Sequence, residues 1–187
     1  MTRRGATLGV GALALALSAC ANASVIGQDY VDPSYDPRLV GTMAKYGGVM
    51  PMEVYGNPFN VPKNELDSAM SSAMKGANFG QPLDFSTTPP EGIASPYSLV
   101  VLFSPARNAK ANKICANRDQ PTAPTEVGVK AMMVVCSSDQ RISSAIASVG
   151  QANSPNDPAF TRMLQQSLIV LLPPRPEDIR GGPEFRG

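Results

Sequence analysis

Histidine is missing from the chain, and so is tryptophan. Without histidine neither a Ser-His-Asp nor a Cys-His nucleophile can be assembled, and histidine-rich zinc or copper sites fall with them. An excess of one charge is missing too. Lys+Arg 16 against Asp+Glu 15 leaves a net charge of +1, whereas wholesale nucleic-acid binding needs a strongly basic balance. The three cysteines include no Cys-x-x-Cys pair, which removes the usual arrangement for disulfide exchange. Long apolar runs are also lacking. The stretch Ala6–Leu17 holds about a dozen residues, short of the roughly 20 that a helix needs to cross a hydrocarbon core.

What is present organises itself around Leu17-Ser18-Ala19-Cys20. Arg3 and Arg4 form a positive start, Ala6–Leu17 an apolar stretch, and small residues then lead to a cysteine. This pattern resembles the lipobox of bacterial lipoproteins, and the chain as a whole is similar to small bacterial lipoproteins of uncharacterised role. The resemblance implies a signal peptide over residues 1–19, cleavage before Cys20, and acyl chains on that cysteine. At about 0.8 kcal/mol per buried methylene, two or three such chains would hold the protein at a membrane almost permanently. Ala21 follows where an Asp would mark inner-membrane retention, so the implied address is the cell envelope, facing the periplasm, at the outer membrane rather than the inner.

Removal of the leader takes Arg3 and Arg4 and leaves 14 basic against 15 acidic side chains, a charge of about −1. With Cys20 lipidated, Cys115 and Cys136 remain, and an oxidising periplasm makes a disulfide between them the expected pairing. It would close a loop of about 22 residues and contribute on the order of 3 kcal/mol. Gly 16 and Pro 18 among 187 residues point to a substantial share of loop.

Along the exported part, residues 20–48 have few large aliphatic side chains and two Asp-Pro steps, Asp32-Pro33 and Asp36-Pro37, and read as a flexible tether. Residues 49–174 read as one α+β domain of the periplasm, and 175–187, charged and rich in Gly and Pro, as a disordered tail. Val49–Tyr55 is expected as an edge strand, because Pro51 cannot donate to a ladder. A helix is expected over residues 62–75 from Leu66, Ala69, Met70, Ala73 and Met74, with Pro62 in its first turn and Gly76 at its end. Ser98–Phe103 and Val127–Cys136 are apolar runs expected to pair as a wide antiparallel hairpin. Ile142, Ala145, Ile146 and Val149 recur at helical spacing over residues 139–149. Asp157-Pro158 opens a last helix with Phe160, Met163, Leu164, Leu168 and Leu171 on one face. The expected fold is therefore a small, mainly antiparallel three-stranded sheet covered by helices, in the order β-α-β-β-α-α.

Three groups of residues carry possible chemistry. Arg107, Lys110, Lys113 and Arg118 form a basic cluster in the segment that Cys115 would staple. They are candidate contacts for an anionic partner such as lipid head groups or an acidic protein, with a solvated loop as the plain alternative. Met50, Met52, Met70 and Met74 are soft thioethers that suit Cu(I), and equally ordinary core filler. Ser72-Ala73-Met74-Lys75 has the Ser-x-x-Lys spacing of penicillin-recognising enzymes, and Ser154-Pro155-Asn156 adds a Ser-x-Asn. However, no Lys-Thr-Gly follows, and Ser72 falls near a helix end whose partial charge opposes an oxyanion.

The resulting expectation is a non-enzymatic accessory or scaffolding subunit, held to the membrane by its lipid anchor and contacting an envelope protein. Neither a metal nor another cofactor is expected, nor a nucleic-acid partner. The alternative is a periplasmic module that binds a small ligand or copper.

Overall fold

Two apolar runs set the centre of the sheet. In the computed structural model, which describes residues 24–92, 95–124 and 127–174, they form β4 (Tyr97–Phe103) and β5 (Val129–Ser137). The two strands pair antiparallel from Tyr97 opposite Ser137 to Phe103 opposite Ala131. Both faces of this pair are buried, as unbroken Val, Leu and Met runs require. The lipobox, Cys20 and the segment 175–187 lie outside the described residues.

β6 (Gln140–Val149) continues the hairpin through a two-residue turn, Ser138-Asp139, with Ser138 at φ 50°. Residues 139–149 are thus a strand and not the expected helix. Ile142, Ala145, Ile146 and Val149 fit a helical stripe, but the serines and alanines between them are small enough to be buried on either face of a sheet. Ser143, Ala145, Ala147 and Val149 alternate toward the helices, and the Ser143 hydroxyl donates to the Leu171 carbonyl at 2.6 Å. Ser138, with its positive φ, supplies the left-handed residue that a tight hairpin turn needs.

The stretch expected as a tether is folded from Ser24 onward. β1 (Ser24–Val31) pairs antiparallel with β6 and has a bulge at Asp29. α1 (Arg38–Lys45) buries Leu39, Val40 and Met43. Asp36 accepts from the Arg38 amide at 2.9 Å, and Pro37 has no amide to satisfy. One of the two Asp-Pro steps that suggested an extended linker is therefore a helix start.

β2 (Val49–Tyr55) is not the edge strand. Its second half, Met52–Tyr55, runs parallel to β4, and its first half, Val49–Pro51, runs parallel to the three-residue β3 (Asp84–Ser86). Pro51 falls in the half that β4 does not pair, so its missing donor costs the β2–β4 ladder nothing. α2 (Lys63–Met74) connects β2 to β3 and α3 (Pro158–Leu171) closes the chain. The three-stranded expectation thus gives way to one mixed six-stranded sheet in the order β1-β6-β5-β4-β2-β3, with elements in the order β-α-β-α-β-β-β-β-α.

One face of this sheet carries the main core. Leu66, Met70 and Met74 of α2 and Phe160, Met163, Leu164 and Leu168 of α3 pack on Leu99, Val101, Phe103, Ala131 and Met133. Phe160 stacks edge-on against Phe59 at 5.0 Å and lies 6.0 Å from Phe103. Met50, Met52, Met70 and Met74 are all buried here and serve as core filler. Among the described residues, no helix packs on the opposite face. Val100, Leu102, Met132, Val134 and Cys136 are roofed by Ala111, Ile114 and Cys115 of the β4–β5 connection, a roof that, among the described residues, does not extend over β6 and β1.

Candidate functional site

The connection between β4 and β5 is long, and six separate contacts give it a shape. At its neck the Ser104 amide donates to the Lys130 carbonyl, Pro105 bridges Thr122, and the Ala106 amide bonds the Pro121 carbonyl. Its middle is pinned by the Cys115–Cys136 disulfide, with Cα atoms 5.6 Å apart, and by Ile114, which is fully buried. Successive amides of Lys113 and Ala116 bond the carbonyls three residues back and so coil this part into turns.

Arg118 is the sixth contact. Its guanidinium faces the Glu53 carboxylate at 3.0–3.2 Å and donates to the carbonyls of Ile114 and Cys115. Glu53 also accepts from the Tyr55 hydroxyl at 2.7 Å. The Arg118 bonds hold the Glu53 carboxyl below its ordinary range, against the opposing effect of burial. Burial, with the bond to Glu53, pushes the Tyr55 phenol up to about 12. Within the expected basic cluster, then, Arg118 is engaged in latching the loop to β2.

Along the loop's other side a cleft of about 340 Å³ separates it from β6 and β1. Met132 and Ile146 form part of its floor, and Arg107 and Lys110 line it from the loop. Lys130 on β5 and Arg141 on β6 line it from the sheet. Asp29, in the β1 bulge, is the sole carboxylate among the lining residues. Arg141 is held rigidly: it bonds Asp29 and the Ser144 hydroxyl, each at 3.2 Å, and lies 3.8 Å over the Tyr30 ring. Ser144 in turn donates to Asp29 at 3.0 Å. Among the described residues, no ion pair engages Arg107, Lys110 or Lys130. Four cations therefore face one carboxylate, and that carboxylate already has two donors.

Of the expected contacts, Arg107 and Lys110 line this cleft. Lys113, exposed on the same loop, lies outside it. Lys130 and Arg141 complete the cleft and were not singled out from sequence. Lys130 had a visible signal, because it is the one charge in the apolar run Val127–Cys136. Arg141 and Asp29 had none, since both fell in segments expected to be a helix and a tether.

The cleft also has a definite place relative to the amino terminus. Val25 sits beside Ser148, and Ser148 beside Lys130, so the three form one row across the sheet on its outer face. At about 4.8 Å per strand, Lys130 is roughly 10 Å from the strand that leads back to Cys20. Val25 and Val127, 67% and 74% exposed, mark the same end of the sheet.

Other concavities lie elsewhere among the described residues. A groove of about 980 Å³ is apolar, with Val40 of α1, Phe79, Ile169 of α3, and Pro173 in its wall. A shallow cleft of about 360 Å³ contains Ser72 and Lys75. There Lys75, just past the end of α2, pairs with Asp84 at 3.2 Å. Among the described residues no group of three or more His, Cys, Asp or Glu gathers to hold a metal ion. Compared with family models, curated proteins and solved structures, the chain matches none.

Proposed function

We propose that this chain is a non-enzymatic accessory lipoprotein of the bacterial cell envelope, anchored through Cys20 and acting through protein contacts at the membrane surface. The observation that carries the reading is the join between the lipobox and the fold. Cys20 stands only four residues before Ser24, where β1 begins. Four extended residues span at most about 14 Å, so an acylated Cys20 would hold the domain close against the bilayer with no long spacer. Such an anchor fixes which end of the sheet faces the lipid, which suits a subunit that docks on a neighbouring envelope protein. The missing histidine supports a role without nucleophilic catalysis of the Ser-His or Cys-His kind. Ala21 favours the outer membrane, facing the periplasm.

The test is crosslinking in cells followed by purification of the chain, with Cys20→Ser run alongside. Capture of a defined envelope protein by the native chain, lost in Cys20→Ser, is the expected result. If the two forms capture the same proteins in the same amounts, the anchor has no part in partner choice and the accessory role fails.

A further inference from the structure

Among the described residues, the outer face of the sheet is roofed over β4 and β5 by their connection, and basic side chains collect where that roof ends, beside β6 and β1. We infer that the cleft there binds a phosphate-bearing group, supplied by the head group of an anionic lipid or by a small soluble phosphate ester.

The cations reach this space from three separate elements: Arg107 and Lys110 from the loop, Lys130 from β5 and Arg141 from β6. A solvated basic loop would not require the sheet to add two more charges to the same volume. Their mutual repulsion is a cost that an anion relieves. At an effective dielectric of 20, a unit charge 4 Å from a cation gains about 4 kcal/mol before desolvation is counted. Arg141 is the oriented donor, since Asp29, Ser144 and the Tyr30 ring fix its guanidinium. The lysines act as flexible point charges around it, as suits a tetrahedral oxyanion.

Size narrows the ligand. About 340 Å³ accommodates phosphate with a glycerol or sugar attached, at the lower end of small-molecule sites. It is too small for a folded segment of an acidic protein. The wall is built for repeated occupancy, because the disulfide, the Arg118–Glu53 latch and the Pro105–Thr122 bridge hold the loop in place without the ligand. Less ordering entropy is then lost on binding. The row Val25, Ser148, Lys130 puts the Lys130 end of the cleft near the end from which the chain leads back to Cys20, with Arg141, opposite Cys136, toward its other end. The lipid source rests on the reading of Cys20 as an anchor, whereas the phosphate chemistry of the cleft does not.

The experiment uses the full chain in neutral detergent and inorganic phosphate as probe, read by calorimetry. Lys110→Glu and Lys130→Glu remove cleft charges at exposed positions, and Lys113→Glu makes the same change on the same loop outside the cleft. We expect saturable phosphate binding that weakens by about tenfold or more in each cleft variant, the loss of one charge-assisted bond. Lys113→Glu should change it less than about twofold, as surface screening dictates. Equal losses in all three variants would mean a diffuse charge effect, and no saturable binding by the native chain would overturn the inference outright. Competition then separates the sources. Displacement of phosphate by vesicles of phosphatidylcholine with phosphatidylglycerol, but not by phosphatidylcholine alone, identifies the lipid. Displacement by soluble glycerol phosphate without any vesicle effect identifies the ester. Acylation of Cys20 is measured separately by mass, so a failed anchor and a failed cleft are distinguishable.

Discussion

Removing the disulfide tests whether the roof over the outer sheet face is an integral part of the fold. In Cys115→Ala with Cys136→Ala, the cross-link across a sequence separation of 21 is lost. The unfolded chain then regains loop-closure entropy worth about 3 kcal/mol. Both cysteines are buried, Cys136 completely, so alanine is the better replacement. Serine would bury hydroxyls and add its own cost of about 1–3 kcal/mol. For a domain of this size 3 kcal/mol corresponds to a fall of about 6–12 °C in Tm. The neck bonds, buried Ile114 and the Arg118–Glu53 latch remain, so the variant should still fold cooperatively. Urea denaturation followed by far-UV circular dichroism gives the free energy directly. Phosphate titration of the same variant should show weaker binding, because the loop wall of the cleft is less constrained. A stability loss below about 1 kcal/mol, half the low end of the usual range, would refute the view that the loop is stapled into the domain.

Gly128 enters β5 at φ 76°, and a Cβ there would lie 2.1 Å from the Val149 carbonyl oxygen and 2.7 Å from that of Gly150. Gly128→Ala should therefore cost more than about 3 kcal/mol in denaturant melts, combining strained backbone with a steric clash. Gly56→Ala, whose nearest neighbour would be the Phe103 carbonyl at 3.1 Å, should cost less, and the reverse order would contradict the described strand ends. Phe160→Ala, fully buried between Phe59 and Phe103, should lose about 3–5 kcal/mol, and a loss under about 1 kcal/mol would mean that α3 does not seat on the sheet. Glu53 has its folded pKa lowered from 4.5, chiefly by Arg118. Its contribution is present above that value and disappears as the pH falls through the lowered one. With side chains 38% and 28% exposed, the pair contributes at most about 1 kcal/mol at neutral pH. Glu53→Gln should thus flatten the acid limb of the stability-against-pH curve below about pH 4.5, and an unchanged limb would show that the latch is not an ion pair.

Where apolar side chains dominate, the fold could be read from sequence. β4 and β5 are runs in which nearly every residue is large and buried, and α3 announces itself with Asp157 accepting from the Ala159 amide at 2.8 Å and Pro158 behind it. The same Asp-Pro signature at Asp36-Pro37 reads as a linker, because only Leu39, Val40 and Met43 follow it and the eight-residue helix has little stripe to show. β6 is hidden in the sequence for a different reason. Its core-facing Ser143, Ala145 and Ala147 are small, and only contact with α3 makes their burial meaningful. β1 is an edge strand whose alternation is broken by Gly27, Gln28 and the bulged Asp29. The cleft was half legible for the same causes: its loop cations lie together in sequence, but Arg141 and Asp29 meet only once β1 pairs with β6.

The proposed role requires the folded domain to follow closely on a lipid-bearing Cys20. Mass spectrometry of the amino-terminal peptide, taken from the membrane fraction of cells producing the full chain, tests it most directly. The expected peptide begins at Cys20 and carries the added mass of a diacylglyceryl group, with or without a third acyl chain. An unmodified amino terminus, or cleavage at any other residue, would contradict the claim.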